Sequence, residues 1–232
     1  MGPIFSQLTK ILQGVINSFV ANEMKKASCD NDEGKVMNCS NRYMWIIDHG
    51  HGESTPGKRS PKLEDGTQLR EYLFNRRVSK YLMEMLDENN VCYHNLVPEV
   101  EKDIKLSERV ARANNVETDM PKILISIHGN AFGSDWTSPS GIETYHCKGS
   151  KKGESIAQIF QNKLAMQTGW KDRGVKTAGF YILKHTSMPA ILTENGFFTN
   201  KAECKKMMSE EWCEKIATAH FDAIMEIERE GI

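Results

Sequence analysis

From Tyr43 to the C-terminus, short apolar runs alternate with longer amphipathic stretches, and this alternation leaves few folds open. The runs at residues 44–47, 91–97, 123–127, 142–145, 180–183 and 190–193 have the length and apolarity of buried strands. Between them lie patterns with helical period. Leu73, Val78, Leu82, Met85 and Leu86 mark one helix that ends near Asn89 and Asn90, and Ile156, Ile159, Phe160 and Leu164 mark another. Ser107, followed by Val110 and Ala113, reads as an N-cap. Asn200 and Glu203 have capping-box spacing, and Ser209 with Glu210 and Glu211 opens a last helix carrying Ile216, Ala217, Phe221 and Ile224. Strands alternating with helices predict an α/β chain: a single three-layer domain whose twisted, mostly parallel sheet of about six strands is flanked by helices.

The first 41 residues fall outside this pattern and are expected to form an N-terminal amphipathic helix and linker, with the α/β domain over 42–232. Ile4, Phe5, Leu8, Ile11, Leu12, Val15, Ile16, Phe19 and Val20 recur at helical spacing, with polar residues between them. No basic region precedes them and no unbroken apolar run is long enough to span a bilayer. The expectation is therefore cytoplasmic synthesis without a cleavable signal peptide and no transmembrane segment. Residues 1–24 then serve as a packing helix, a membrane-surface contact or a self-association surface. Residues 25–41 are polar and aperiodic, as a linker would be.

Composition narrows the partners. Lys and Arg number 30 against 31 Asp and Glu, a net charge of −1, and no basic stretch is interleaved with aromatics, which excludes nucleic acid as the expected partner. None of the six cysteines (Cys29, Cys39, Cys92, Cys147, Cys204 and Cys213) forms a C-x-x-C pair. They read as mostly free thiols of a protein made in a reducing compartment, with a Cys29–Cys39 bridge as the alternative if the protein works outside the cytoplasm.

Open α/β sheets bind ligands beyond the carboxyl ends of their strands. The first run ends in Asp48-His49-Gly50-His51-Gly52, the third in His128-Gly129-Asn130 and the last in Glu194-Asn195-Gly196-Phe197. Three strands thus deliver a His or Glu to one edge. Glu71, at the head of the first long helix, starts near the same edge. Singly, each has a structural explanation: a hydrogen-bonded strand-end histidine, a carboxylate favoured by the helix dipole, or a buried acid held by backbone amides. Together, two imidazoles and a carboxylate with an open fourth position make the ligand set of a catalytic zinc. Zinc lowers the pKa of bound water to roughly 7 and polarises a carbonyl, so amide hydrolysis needs one further group, a general base. Glu194 is placed for that task.

These residues also carry a likeness. The segment Ile46-Ile47-Asp48-His49-Gly50-His51-Gly52, Glu71 with Asn75 one turn on, the segment Ile125-Ser126-Ile127-His128-Gly129-Asn130, and Leu192-Thr193-Glu194-Asn195-Gly196-Phe197-Phe198-Thr199-Asn200 resemble the zinc-dependent N-acetylmuramoyl-L-alanine amidases. These are cell-wall hydrolases of autolysin and phage endolysin type. The likeness runs from about Met44 into the last helix and takes in Arg173-Gly174-Val175-Lys176 and Ser187-Met188-Pro189-Ala190. It implies that His51, Glu71 and His128 hold Zn2+ and that Glu194 is the catalytic acid/base. His49 stands where the family usually has Pro, and Gly129 where it has Ala. Because residues two apart in an extended segment share a face, His49 competes with His51 for the metal, and the family's position favours His51.

The remaining histidines divide. His94 and His220 read as packing or surface residues, whereas His146 and His185 follow apolar runs and could border the cleft, with His185 the stronger candidate for substrate contact. Residues 53–68 form a Pro- and Gly-containing loop beside the metal. There Lys58 and Arg59 either meet acidic groups of a peptide stem or are simply solvated.

The resemblance implies a peptidoglycan hydrolase that acts on the cell wall. The bond cut is the amide between the lactyl group of N-acetylmuramic acid and L-alanine, by zinc-activated water. A leaderless chain without wall-binding repeats looks more like a phage lysin than a secreted autolysin. The competing readings are a zinc peptidase acting within the stem peptide and a non-catalytic wall-binding or virion protein on the same scaffold.

Overall fold

The computed structural model describes residues 28–30, 36–38, 41–99 and 102–232. The expected amphipathic helix at residues 1–24 and the cysteine at position 39 lie outside them. Within the stretch read as linker, β1 (Ser28–Asp30) and β2 (Val36–Asn38) pair antiparallel. The domain then runs β3 (Met44–His49), α1 (Glu71–Glu88), β4 (Tyr93–Asn95), α2 (Leu106–Asn115), β5 (Lys122–Asn130) and β6 (Ile142–His146). It continues through α3 (Lys151–Thr168), β7 (Asp172–Thr177), α4 (Tyr181–His185), β8 (Ala190–Phe197), α5 (Lys201–Met207) and α6 (Glu210–Glu230).

The main sheet has six strands in the order β4-β3-β5-β8-β6-β7. All neighbouring pairs are parallel except β6 against β8. The central strands are apolar on both faces, as helices on both sides require. Alternation along them divides the core in two. Trp45 and Ile47 of β3 and Ile123, Ile125 and Ile127 of β5 pack toward Val78, Leu82 and Leu86 of α1, Phe160 of α3 and Ile224 of α6. Met44, Ile46 and Leu124 point the other way, toward Val110 and Ala113 of α2 and Ile182 and Leu183 of α4. This parity decides which polar residues enter the site.

Three expected elements differ. Residues 180–183 are not a strand: Phe180 is extended, its carbonyl accepts from the amides of Leu183 and Lys184, and Tyr181–His185 is a short helix. A four-residue apolar run fits one buried helical turn as well as one strand. The sixth strand is instead β7, a polar edge strand with no apolar run to signal it. Ser107 lies inside α2, whose N-cap is Lys105 and lacks a side-chain cap. Asn200 and Ser209 do cap their helices, accepting from the amides of Ala202 and Glu203 and of Trp212 respectively. Glu203 does not complete a capping box, because its carboxylate accepts from Gly141 and Phe197.

The cysteine reading needs correction at one position. Cys92 is disulfide-bonded, while Cys147, Cys204 and Cys213 are free thiols. Among the described residues, no helix is long and apolar enough to cross a membrane.

Candidate metal centre

The carboxyl edge of the sheet gathers its polar residues by strand parity. Asp48 on β3, Ser126 and His128 on β5 and Glu194 on β8 share alternation with Ile46, Leu124 and Leu192, so they open toward α2 and α4. His49 shares the opposite parity with Ile47. It is buried, its Nε2 lies 3.0 Å from Asn95 Oδ1, and burial helped by nearby Arg76 pushes its imidazole down to about 4. Beyond the strand the chain turns, and His51 rather than His49 stands together with Glu71 and His128.

His51, Glu71 and His128 each offer one ligand atom, and these atoms all lie within 4.8 Å of one another. Glu71 Oε1 lies 3.0 Å from His128 Nδ1 and 3.3 Å from His51 Nε2. The two rings are perpendicular, with centroids 5.0 Å apart. Glu71 opens α1, is 1% exposed, and burial opposes its charge, yet the two imidazoles hold its carboxyl well below the usual range. A buried carboxylate between two imidazoles is a donor set of the N,N,O kind that suits zinc. His51 Nε2 and Glu71 Oε2 are buried without a regular hydrogen-bond partner, as ligand atoms awaiting a cation would be.

Local backbone serves this cluster. His51 has φ 67, a left-handed conformation uncommon outside glycine. Asn75, one turn into α1, donates to the Gly50 carbonyl at 3.0 Å. A Cβ on Gly50 would lie 2.0 Å from His128 Cε1, so the imidazole packs directly on the glycine backbone.

Glu194 stands beside the cluster, its Cα paired in register with that of His128. Its Oε2 is buried and has no hydrogen-bond partner. Burial pushes the carboxyl up to about 8; His128 and Lys58 oppose that rise, and Glu71 and Glu143 add to it. An acid of that kind can both take and give a proton near neutral pH. A cleft of about 410 Å3 opens above it, with His51, His128 and Glu194 in its floor and Leu106, Phe180 and Tyr181 on its walls.

The other sequence candidates are more scattered. Lys58 lines the cleft, with its Nζ 3.7 Å from Glu71 Oε2. Arg59 lines a smaller recess on the far side of His51 and bonds the Gly57 carbonyl. His185 is exposed, stacks on Tyr181 at 4.2 Å, and is not part of the cleft wall. His146 is buried against its own chain, and His220 bonds Thr193 on the opposite face of the sheet. Sequence reading missed Asp48, Ser126 and Arg109, which form a buried network behind the imidazoles. The signal was present, since an aspartate closing an apolar strand needs a buried cation, but nothing local points to a residue sixty positions on.

Comparison with known proteins identifies the family. The sequence model of the N-acetylmuramoyl-L-alanine amidase family matches residues 46–226. N-acetylmuramoyl-L-alanine amidase LytC of Bacillus subtilis strain 168 is 33% identical over 183 residues, covering 76% of this chain and 34% of that protein. This chain thus spans about a third of LytC's length. The endolysin of Bacillus phage SPP1 is 28% identical over 192 residues, covering 80% of this chain and 66% of that protein. Among solved structures, the N-acetylmuramoyl-L-alanine amidase of Clostridium difficile 630 superposes with a TM-score of 0.72 at 29% identity, covering 82% of this chain and 99% of that one. Since the family's sequence pattern spans β3 to α6 and so takes in His51, Glu71, His128 and Glu194, this chain belongs to the N-acetylmuramoyl-L-alanine amidase family.

Proposed function

We propose that this chain is a zinc-dependent peptidoglycan hydrolase that cuts the amide between the lactyl group of N-acetylmuramic acid and L-alanine. The observation that carries the proposal is the convergence of His51, Glu71 and His128 beside an unpartnered Glu194. His51, Glu71 and His128 would hold the zinc. Zinc bound there supplies a Lewis acid that acidifies water and polarises a carbonyl. Glu194 accepts the proton of the attacking water at its free Oε2 and returns it to the nitrogen of the departing L-alanine. The apolar and aromatic walls exclude water around that transfer, and Lys58 at the rim offers a cation to the acidic stem peptide.

The catalytic unit is assigned to residues 42–232, since every site residue lies there. The cell wall is the place of action, and the likeness to an N-acetylmuramoyl-L-alanine amidase and to a phage endolysin supports a lytic role, of which the phage-lysin setting is our preferred one. The test is mass spectrometry of purified peptidoglycan after digestion, with and without a chelator. Free stem peptides beginning at L-alanine, released only without chelator, are expected. Products cut within the stem would overturn the assignment of the bond.

A further inference from the structure

Arg109 is 2% exposed and lies on α2, far in sequence from the cluster, yet it uses all five of its N–H donors around it. Its Nε donates to the Ile104 carbonyl at 2.9 Å. Its Nη1 donates to Asp48 Oδ1 at 2.7 Å and to the His49 carbonyl at 3.1 Å. Its Nη2 donates to the His51 carbonyl at 3.2 Å and to Asp103 Oδ1 at 3.1 Å. The guanidinium therefore grips the backbone on both sides of Gly50 and pins the turn that gives His51 its left-handed φ.

The second arm of the network reaches the other imidazole. Ser126 is fully buried, and its hydroxyl lies 2.6 Å from Asp48 Oδ2. A carboxylate flanked by a guanidinium can only accept, so Ser126 must spend its single hydrogen there. Its oxygen is also 3.2 Å from His128 Nε2, and with no hydrogen left to give it must accept from the ring. The Nε2 of His128 therefore carries a proton, so Nδ1, 3.0 Å from Glu71 Oε1, is the nitrogen left for a cation, which would displace any proton shared there with Glu71.

We propose that Arg109 is a positioning residue for the metal centre, fixing His51 through its backbone and the tautomer of His128 through the relay Asp48–Ser126. This inference rests on reading His51, Glu71 and His128 as a zinc site. Partners behind metal-binding histidines typically contribute roughly 10- to 100-fold in metal affinity. Lysine keeps the charge at position 109 but carries its donors on one nitrogen, so it cannot span Asp48 and the His51 carbonyl together.

The test joins two readouts on the full chain. Zinc Kd is measured by competition with a chelating dye for the wild type, Ser126→Ala and Arg109→Lys, and folding is checked by thermal unfolding. The tautomer of His128 is read in metal-free, 15N-histidine-labelled protein at mildly alkaline pH. The wild type should show Nε2 protonated, Ser126→Ala a partial loss of that proton, and both variants a zinc Kd weaker by about 10-fold or more. A folded Ser126→Ala that keeps Nε2 fully protonated, or a folded Arg109→Lys with wild-type zinc affinity, would overturn the proposal. Should Arg109→Lys not fold, the small Ser126→Ala change decides alone. If the wild type binds no zinc, the zinc reading fails, and the tautomer measurement still decides whether the relay exists.

Discussion

His128 and Glu194 are register partners on the adjacent parallel strands β5 and β8, so an imidazole and a carboxylate enter one cleft from the same face of the sheet. Their separation is set by strand spacing rather than by a loop. Sites built on strands hold their geometry closely, which suits a proton acceptor that must work beside a metal.

Gly50 should be intolerant of any side chain. A methyl group there would sit 2.0 Å from His128 Cε1, so the ring must move. Gly50→Ala is expected to retain the fold by circular dichroism while losing zinc affinity by about 10-fold or more, as expected when a ligand's orientation is lost. Unchanged zinc binding would show that the ring has room the structure does not reveal.

The cleft wall should matter for binding more than for chemistry. Leu106, Phe180 and Tyr181 are large and exposed and line the cleft. Phe180→Ala and Tyr181→Ala are each expected to raise KM on soluble muropeptides by about 3- to 10-fold with little change in kcat, the pattern of lost uniform binding. A fall in kcat at constant KM would instead place these rings in the transition state.

Much of this was readable in the sequence, and what was not has physical reasons. The runs that became β3, β5 and β8 are apolar on both faces; His51, His128 and Glu194 follow from looking just past their ends, and Glu71 from the head of the helix that starts near the same edge. Residues 172–177 gave no signal because an edge strand needs no apolar face, and residues 180–183 misled because their run is too short to show a period. Arg109 escaped because a buried ion pair between Asp48 and a helix on another layer leaves no local pattern. The thiols misled as well, since Cys92 is bonded although its sequence neighbourhood resembles that of any buried cysteine.

Acid should destabilise the fold in two stages. Burial lowers the His220 imidazole from its ordinary 6.5 to about 4, so the unfolded chain takes up a proton that the folded one refuses. Stability is then complete above about 6.5 and declines toward 4, by on the order of 3 kcal/mol for a shift of that size. Burial works against the charge of Glu143, but Lys176, Tyr145 and Arg173 hold it down to about 2 from its ordinary 4.5. Its contribution is present above 4.5 and is lost as pH falls toward 2. Urea unfolding across pH 7.5 to 3, spanning about the range of both groups, checks this. His49, pushed down to about 4, adds to the upper stage and Glu194, pushed up to about 8, opposes it, so His220→Gln should remove only the share of His220. The same pH dependence between 6.5 and 4 in the wild type and His220→Gln would contradict the burial of a neutral His220.

Zinc content and turnover, measured together on Glu194→Gln and Glu71→Gln, separate the two carboxylates of the site. Glu194 lies beside the cluster with a free Oε2, whereas Glu71 contacts both imidazoles. Glu194→Gln keeps its shape but cannot take a proton, so it should bind zinc as the wild type does and lose about 10²- to 10⁴-fold in turnover. Glu71→Gln should lose zinc itself, because a neutral amide is a poorer ligand for the cation. Near-normal turnover in Glu194→Gln, or zinc lost there and kept in Glu71→Gln, would contradict the division of the site into a metal-holding triad and a separate acid/base.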